Sequence, residues 1–228
     1  MKNKFYILLA VLALICSACD DKESWLPAFI TNYADIRTDA AGNIVSMTLD
    51  DGTTYNAQWS PENKNGNAAQ SGNDQWSIKP DTLYRAICLY TREKNCATIH
   101  SWTLAFAPNP ISDTTQLTIK TDPCEIETIW RGGNYINACM LVQGKDQPHI
   151  VAFIDKGIKE ITTADGSYNQ QTILLYHDQN NDPEAFTRTV YLSCPLHNYA
   201  DMLIQGRDSI AFLVNLQNKG MTAFKLPY

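Results

Sequence analysis

Val45-Ser46-Met47-Thr48-Leu49-Asp50-Asp51-Gly52-Thr53-Thr54-Tyr55 sets the fold class. Val45, Met47 and Leu49 alternate with Ser46 and Thr48, the two-residue period of a strand with one face against a core. Asp50-Asp51-Gly52 reverses the chain, because Asp and Gly tolerate the backbone angles of a tight turn. The extended pattern resumes through Trp59, so 43–59 reads as a β-hairpin.

Working outward, the same style recurs. Residues 83–90 form a dense apolar strand without a helical stripe, and Arg92-Glu93-Lys94-Asn95 is a polar turn. His100, Trp102, Leu104 and Phe106 line one face of the return strand. The stretch 60–80 is rich in Asn, Gly and Ser and reads as a solvated loop. Pro108-Asn109-Pro110 and Thr121-Asp122-Pro123 bracket a short strand over 116–120 and place a domain boundary near residue 122. Beyond Arg131-Gly132-Gly133-Asn134, a turn, strand-length runs fall at 135–142, 150–154, 172–177, 188–194, 209–216 and 221–226. Only 196–203 suits a turn or two of helix. Many short strands between turn formers imply an all-β chain in two small domains, each a barrel or a sandwich.

With 44% hydrophobic and 18% charged residues, the chain is rich enough in apolar side chains to build a core. Its net charge of -6 argues against nucleic acid, which needs a basic face to displace counterions.

The amino terminus speaks of location. Met1-Lys2-Asn3-Lys4 is a basic leader, and 5–15 is an unbroken apolar run, too short for the roughly 20 residues of a membrane-spanning helix. Ile15-Cys16-Ser17-Ala18-Cys19 looks like a bacterial lipobox in which Cys19 is acylated. Residues 1–18 are then a lipoprotein signal peptide and 19–27 an acidic tether. Asp20, Asp21 and Glu23 look like the export tag of surface lipoproteins in Gram-negative anaerobes. The expected place is the outer membrane, held by the lipid anchor and exposed at the cell surface. Five cysteines remain beyond Cys19: Cys88, Cys96, Cys124, Cys139 and Cys194. They form no C-x-x-C pair, and most sit in apolar runs, which favours buried free thiols over bridges.

Four stretches together resemble the NigD-like lipoprotein family: Thr48-Leu49-Asp50-Asp51-Gly52-Thr53; Lys79-Pro80-Asp81 leading to the strand around Arg85; 129–137 from Ile129-Trp130-Arg131 to Asn137; and 176–184 from Tyr176-His177-Asp178 to Glu184. The resemblance implies an OB-like barrel over 28–122 and an antiparallel β-sandwich over 123–228. It also implies association with a bacteriocin gene cluster, and no established biochemical activity.

Signals for chemistry are sparse. No G-x-S-x-G, H-E-x-x-H or Walker glycine loop occurs, His100, His149, His177 and His197 are isolated, and no cofactor is indicated. Asp178, Asn180, Asp182 and Glu184 alternate like the start of a Ca²⁺ loop, but Pro183 stands where that loop needs glycine. A hairpin turn is the competing reading. Trp59 and Trp76 are candidates for stacking a glycan on the barrel, against a plain packing role. Asp81-Thr82-Leu83, Asp113-Thr114-Thr115 and Asp208-Ser209-Ile210 look like O-glycosylation sequons on Thr82, Thr114 and Ser209. The function these features favour is non-catalytic binding of a protein or glycan partner at a membrane, with a bacteriocin-protective factor and a hydrolase as alternatives. Metabolic labelling with a fatty-acid analogue is expected to mark the wild-type chain and to leave Cys19→Ala unlabelled.

Overall fold

The computed structural model describes residues 28–62, 68–71, 74–113, 118–164 and 166–228. Cys19, the tether and Thr114 lie outside the described residues.

The first unit begins with β1 (Ile30–Thr38), β2 (Ile44–Leu49) and β3 (Thr54–Trp59). The 60–80 stretch, which reads as a loop, carries a small hairpin of β4 (Ala68–Ser71) and β5 (Asp74–Ser77). Four-residue strands this poor in apolar side chains offer no alternation to find. β6 (Leu83–Glu93) and β7 (Cys96–Leu104) complete a closed barrel in the order β1-β2-β3-β7-β6, with β6 returning to β1. β3 and β7 run parallel and the other pairs antiparallel, so this is an OB-like barrel without a free edge. Ile36, Met47, Cys88, Tyr90, Ile99 and Trp102 fill it.

One detail departs from the alternation that opened the hairpin. Ile44 and Met47 face the core, while Val45 is exposed. Arg37 pairs with Ser46 and Thr38 with Ile44, leaving Val45 as the extra residue of a bulge that resets the faces.

The chain passes from barrel to sandwich across one peptide. Ala105 N–H donates to Arg85 O, and Phe106 N–H donates to Tyr191 O. The described part of 106–122 is bonded to the second unit: β8 (Ile111–Ser112) pairs with residues 154–155, and Thr121 bridges His177. Within the strand expected over 116–120, residues 116–117 lie outside the described set and 118–120 form no strand.

The second unit holds β9 (Glu125–Gly132), β10 (Tyr135–Gly144), β11 (Ile150–Thr163), β12 (Gly166–Asp178), β13 (Phe186–Pro195), a 3-10 turn at His197–Tyr199, β14 (Ser209–Leu216) and β15 (Gly220–Pro227). A three-stranded sheet, β13-β10-β9, faces a five-stranded one, β15-β14-β12-β11-β8. Pairing is antiparallel except at β12–β14 and β8–β11. Ile136, Met140, Phe153, Leu175, Leu192 and Phe212 interdigitate between the sheets as the core of a sandwich. β11 and β12 extend well past the apolar runs visible in sequence, because their far ends are polar and solvent-facing. All five described cysteines are free thiols. Among the described residues, no helix is long and apolar enough to cross a membrane.

Candidate functional site

Period-two alternation on β6 turns Ala86, Cys88 and Tyr90 into the barrel and Arg85 out of it, toward the sandwich. The Arg85 side chain is only 4% exposed. From the barrel it meets Asp35 Oδ1 through Nη1 at 3.3 Å and Asp50 Oδ1 through Nη2 at 2.5 Å. From the sandwich, Asn137 Oδ1 accepts from Nη2 at 3.0 Å and Ser193 Oγ accepts from Nε at 3.1 Å. Asn137 and Ser193 are register partners across β10 and β13, so strand pairing presents both acceptors side by side. Asn137 Nδ2 donates onward to Asp50 Oδ2 at 2.8 Å, and Tyr135 OH donates to Asp35 Oδ2 at 3.3 Å. The Tyr135 ring lies 3.9 Å from the guanidinium carbon, a cation–π cover. Burial raises the Asp35 pKa above its ordinary value, against the pull of Arg85 and the Tyr135 hydrogen bond.

The glycine turn after β9 presses on this cluster. Gly133 has φ +54 and a Cβ there would stand 2.7 Å from Asp50 O, while a Cβ on Gly132 would overlap the Asp50 carboxylate. Arg131-Gly132-Gly133-Asn134 is therefore both a turn and the docking edge against the Asp50-Asp51 turn.

Beside the clamp, a cleft of about 560 Å³ opens between barrel and sandwich. Its aromatic lining comes from three strands: Tyr33 on β1, Trp130 on β9 and Tyr191 on β13. Tyr33 meets Trp130 edge-on at 5.3 Å and Tyr191 at 6.5 Å. Trp130 stays 37% exposed. Asp50, Asp51 and Glu127 are its acidic members. The Cys139 thiol donates to Glu127 Oε2 at 3.0 Å, and burial with that carboxylate pushes its pKa up to about 11. The Tyr33 hydroxyl is shielded from water without a hydrogen-bond partner, and burial raises its pKa too. Both groups stay protonated at neutral pH.

This cleft differs from the site marked by Trp59 and Trp76. Trp59 is half-buried against the barrel core, edge-on to Trp102 at 5.4 Å. The Trp76 backbone pairs with Ala69, and its side chain lies outside what is described. Trp130, Tyr33 and Tyr191 escaped selection because no sequence pattern brings three distant strands together. Arg85, Asp50, Tyr135 and Asn137 lie within the stretches that carry the family resemblance, with no role attached to them there.

The oxygen-rich loop is a turn. Asp182 N–H donates to Gln179 O, and Asn180 and Asn181 between them have φ +54 and +56, the type I′ arrangement. The Asp182 carboxylate accepts from the backbone N–H groups of Lys145, Asp146 and Gln147 and from Arg188. Asp178 binds Lys120 and caps Asn180 N–H, while Asn180 and Glu184 are exposed. Among the described residues no group of three or more acidic, His or Cys side chains is placed to hold a metal. Thr82 is half-buried and its hydroxyl donates to Pro80 O. Ser209 Oγ, also half-buried, accepts from Gln170.

Two outcomes follow from these contacts. Arg85→Ala leaves Asp35 and Asp50 without their shared cation, and urea unfolding is expected to show a loss of about 3–5 kcal/mol. Arg85→Lys recovers only part, because an ammonium cannot reproduce the planar fork. Burial acts to raise the Asp182 carboxyl, but the three N–H donors and Arg188 outweigh it and hold the pKa at about 2. Its stabilisation is present above the usual 3.8 and fades as pH falls toward about 2. Acid unfolding of Asp182→Asn is expected to be flatter than wild type over that interval.

The fold has known counterparts. A NigD-like immunity protein from Bacteroides caccae ATCC 43185 superposes with TM-score 0.63 at 22% identity, covering 88% of this chain and 93% of that one. A protein of unknown function from Bacteroides vulgatus ATCC 8482 gives TM-score 0.60 at 15% identity over 88% of this chain and 91% of its own. Such identities speak for the shared fold alone. No curated protein matches the chain. The family model of the NigD-like C-terminal beta sandwich domain matches residues 107–228, more than half of the sequence, and the chain belongs to the NigD-like family.

Proposed function

We propose that the chain is a non-catalytic lipoprotein, anchored through Cys19 at the outer membrane and displayed at the cell surface, that binds a partner in the barrel–sandwich cleft. The observation that carries this reading is Trp130, left 37% exposed over a cleft whose two walls are locked together by Arg85. A pre-formed cleft that combines aromatic lining with polar groups able to orient a ligand is a usual form of binding site. A non-catalytic role is supported by the thiols: burial pushes Cys88 and Cys124 up to about 12, far from the thiolate a nucleophile needs. The leader and lipobox support the anchor.

A second reading, protection against a bacteriocin, draws on the name of the Bacteroides caccae structure as an immunity protein. In that case the captured partner is the toxin or its target. Deletion of the gene followed by bacteriocin challenge separates this reading, since only a protective factor changes survival.

Capture from detergent-solubilised outer membrane tests the site. Trp130→Ala is expected to weaken binding by about 2 kcal/mol, roughly 30-fold in Kd, as for a buried aromatic anchor. Phe186→Ser, on an exposed residue at the far end of β13, is expected to leave capture unchanged.

A further inference from the structure

The cleft's charge is one-sided. Asp50, Asp51 and Glu127 line it, and no Lys, Arg or His does. Asp50 is answered by Arg85 from behind. Asp51 and Glu127 have no ion-pair partner among the described residues: Asp51 accepts from Thr53 N–H, and Glu127 accepts from the Cys139 thiol. They stand on opposite walls, Asp51 in the turn between β2 and β3 of the barrel and Glu127 on β9 of the sandwich. The rings of Tyr33, Trp130 and Tyr191 line the same cleft.

Resting on the junction cleft as the binding site, we infer that its occupant is cationic: a lysine or arginine side chain of a basic peptide segment. Three physical terms agree. Aromatic faces attract a cation through their quadrupole, Trp most strongly. Two unanswered carboxylates at the walls of a partly enclosed cleft gain more from a cation than the same charges in open water. The net charge of -6 steers basic partners inward and repels anions. The volume of about 560 Å³ falls within the range of roughly 300–1,000 Å³ common for ligand clefts. A neutral glycan could use the rings and donate its hydroxyls to the carboxylates, but it would gain nothing from their net charge, which is what the test separates.

Two carboxylates elsewhere in the sandwich show a different use of the same group. Asp182 is saturated by three backbone donors and Arg188, and Asp208 by Arg207 together with the N–H groups of Ile204 and Asn169. Those carboxylates hold loops. Asp51 and Glu127 are left to face the cleft.

The test is calorimetric titration of the full chain in detergent with octalysine, and separately with maltoheptaose as a neutral glycan. Octalysine is expected to bind, and Asp51→Asn/Glu127→Gln to weaken it about tenfold or more, because both amides keep their acceptors but lose the charge. Trp130→Ala is expected to weaken it by a similar factor. Glu160→Gln/Asp201→Asn removes the same charge from exposed residues away from the cleft, and its affinity is expected to stay within about twofold of wild type. Equal losses in the two double variants, or no octalysine binding by wild type, would overturn the inference. Maltoheptaose binding that is lost in Trp130→Ala but kept in Asp51→Asn/Glu127→Gln would sink the cation and leave the cleft standing. Octalysine binding that ignores both Trp130→Ala and the cleft charges would sink the cleft as well.

Discussion

The guanidinium of Arg85 holds the two halves of the molecule in one geometry. It donates to Asp35 and Asp50 of the barrel and to Asn137 and Ser193 of the sandwich. A buried cation is costly unless its donors are satisfied, and only the docked arrangement supplies acceptors from both sides. The fork geometry of Arg matters, because acceptors in different directions must be met at once. Any sliding of sandwich against barrel would break pairs that water could not fully replace. The Asp50 turn, the Gly132-Gly133 turn and the Tyr135 ring all close on the same group.

The cleft is a by-product of that clamp. Its walls belong to different units, so its width is set by the angle at which they meet. Tyr33 and Tyr191 stand beside Trp130 only because β1 of the barrel is held against β9 and β13 of the sandwich. Pre-organisation of this kind lowers the ordering cost that binding would otherwise carry. A rigid pair of β-units can in this way hold loop and strand residues of both halves in one fixed arrangement.

Two kinds of carboxylate coexist here and differ in their company. Asp182 and Asp208 are surrounded by backbone N–H groups and an arginine, and their low pKa values follow from those donors. Their role is to fix loops. Asp51 is held by Thr53 and Glu127 by the Cys139 thiol, and neither has a cation among the described residues. The 178–184 stretch, with its metal-like spacing, is a type I′ turn on which Asp182 organises 145–147.

Local periodicity was enough to read the class of fold. Alternation at Met47 and Leu49, the Asp-Asp-Gly turn and the glycine turn after Trp130 each report neighbours a few residues apart, and all appear as strands and turns. What periodicity missed has a common cause. The bulge at Val45, the polar extension of β11 and β12 and the β4–β5 hairpin all depend on which strand lies alongside. Trp59 is conspicuous in sequence yet packs against Trp102, while Trp130 is left open to solvent. Arg85, Asp50, Asn137 and Ser193 are polar residues on four separate segments, and no spacing between them hints at contact. Their meeting, and the cleft beside it, was decided only in tertiary structure, because a buried charge selects its partners by distance in space and not by distance along the chain.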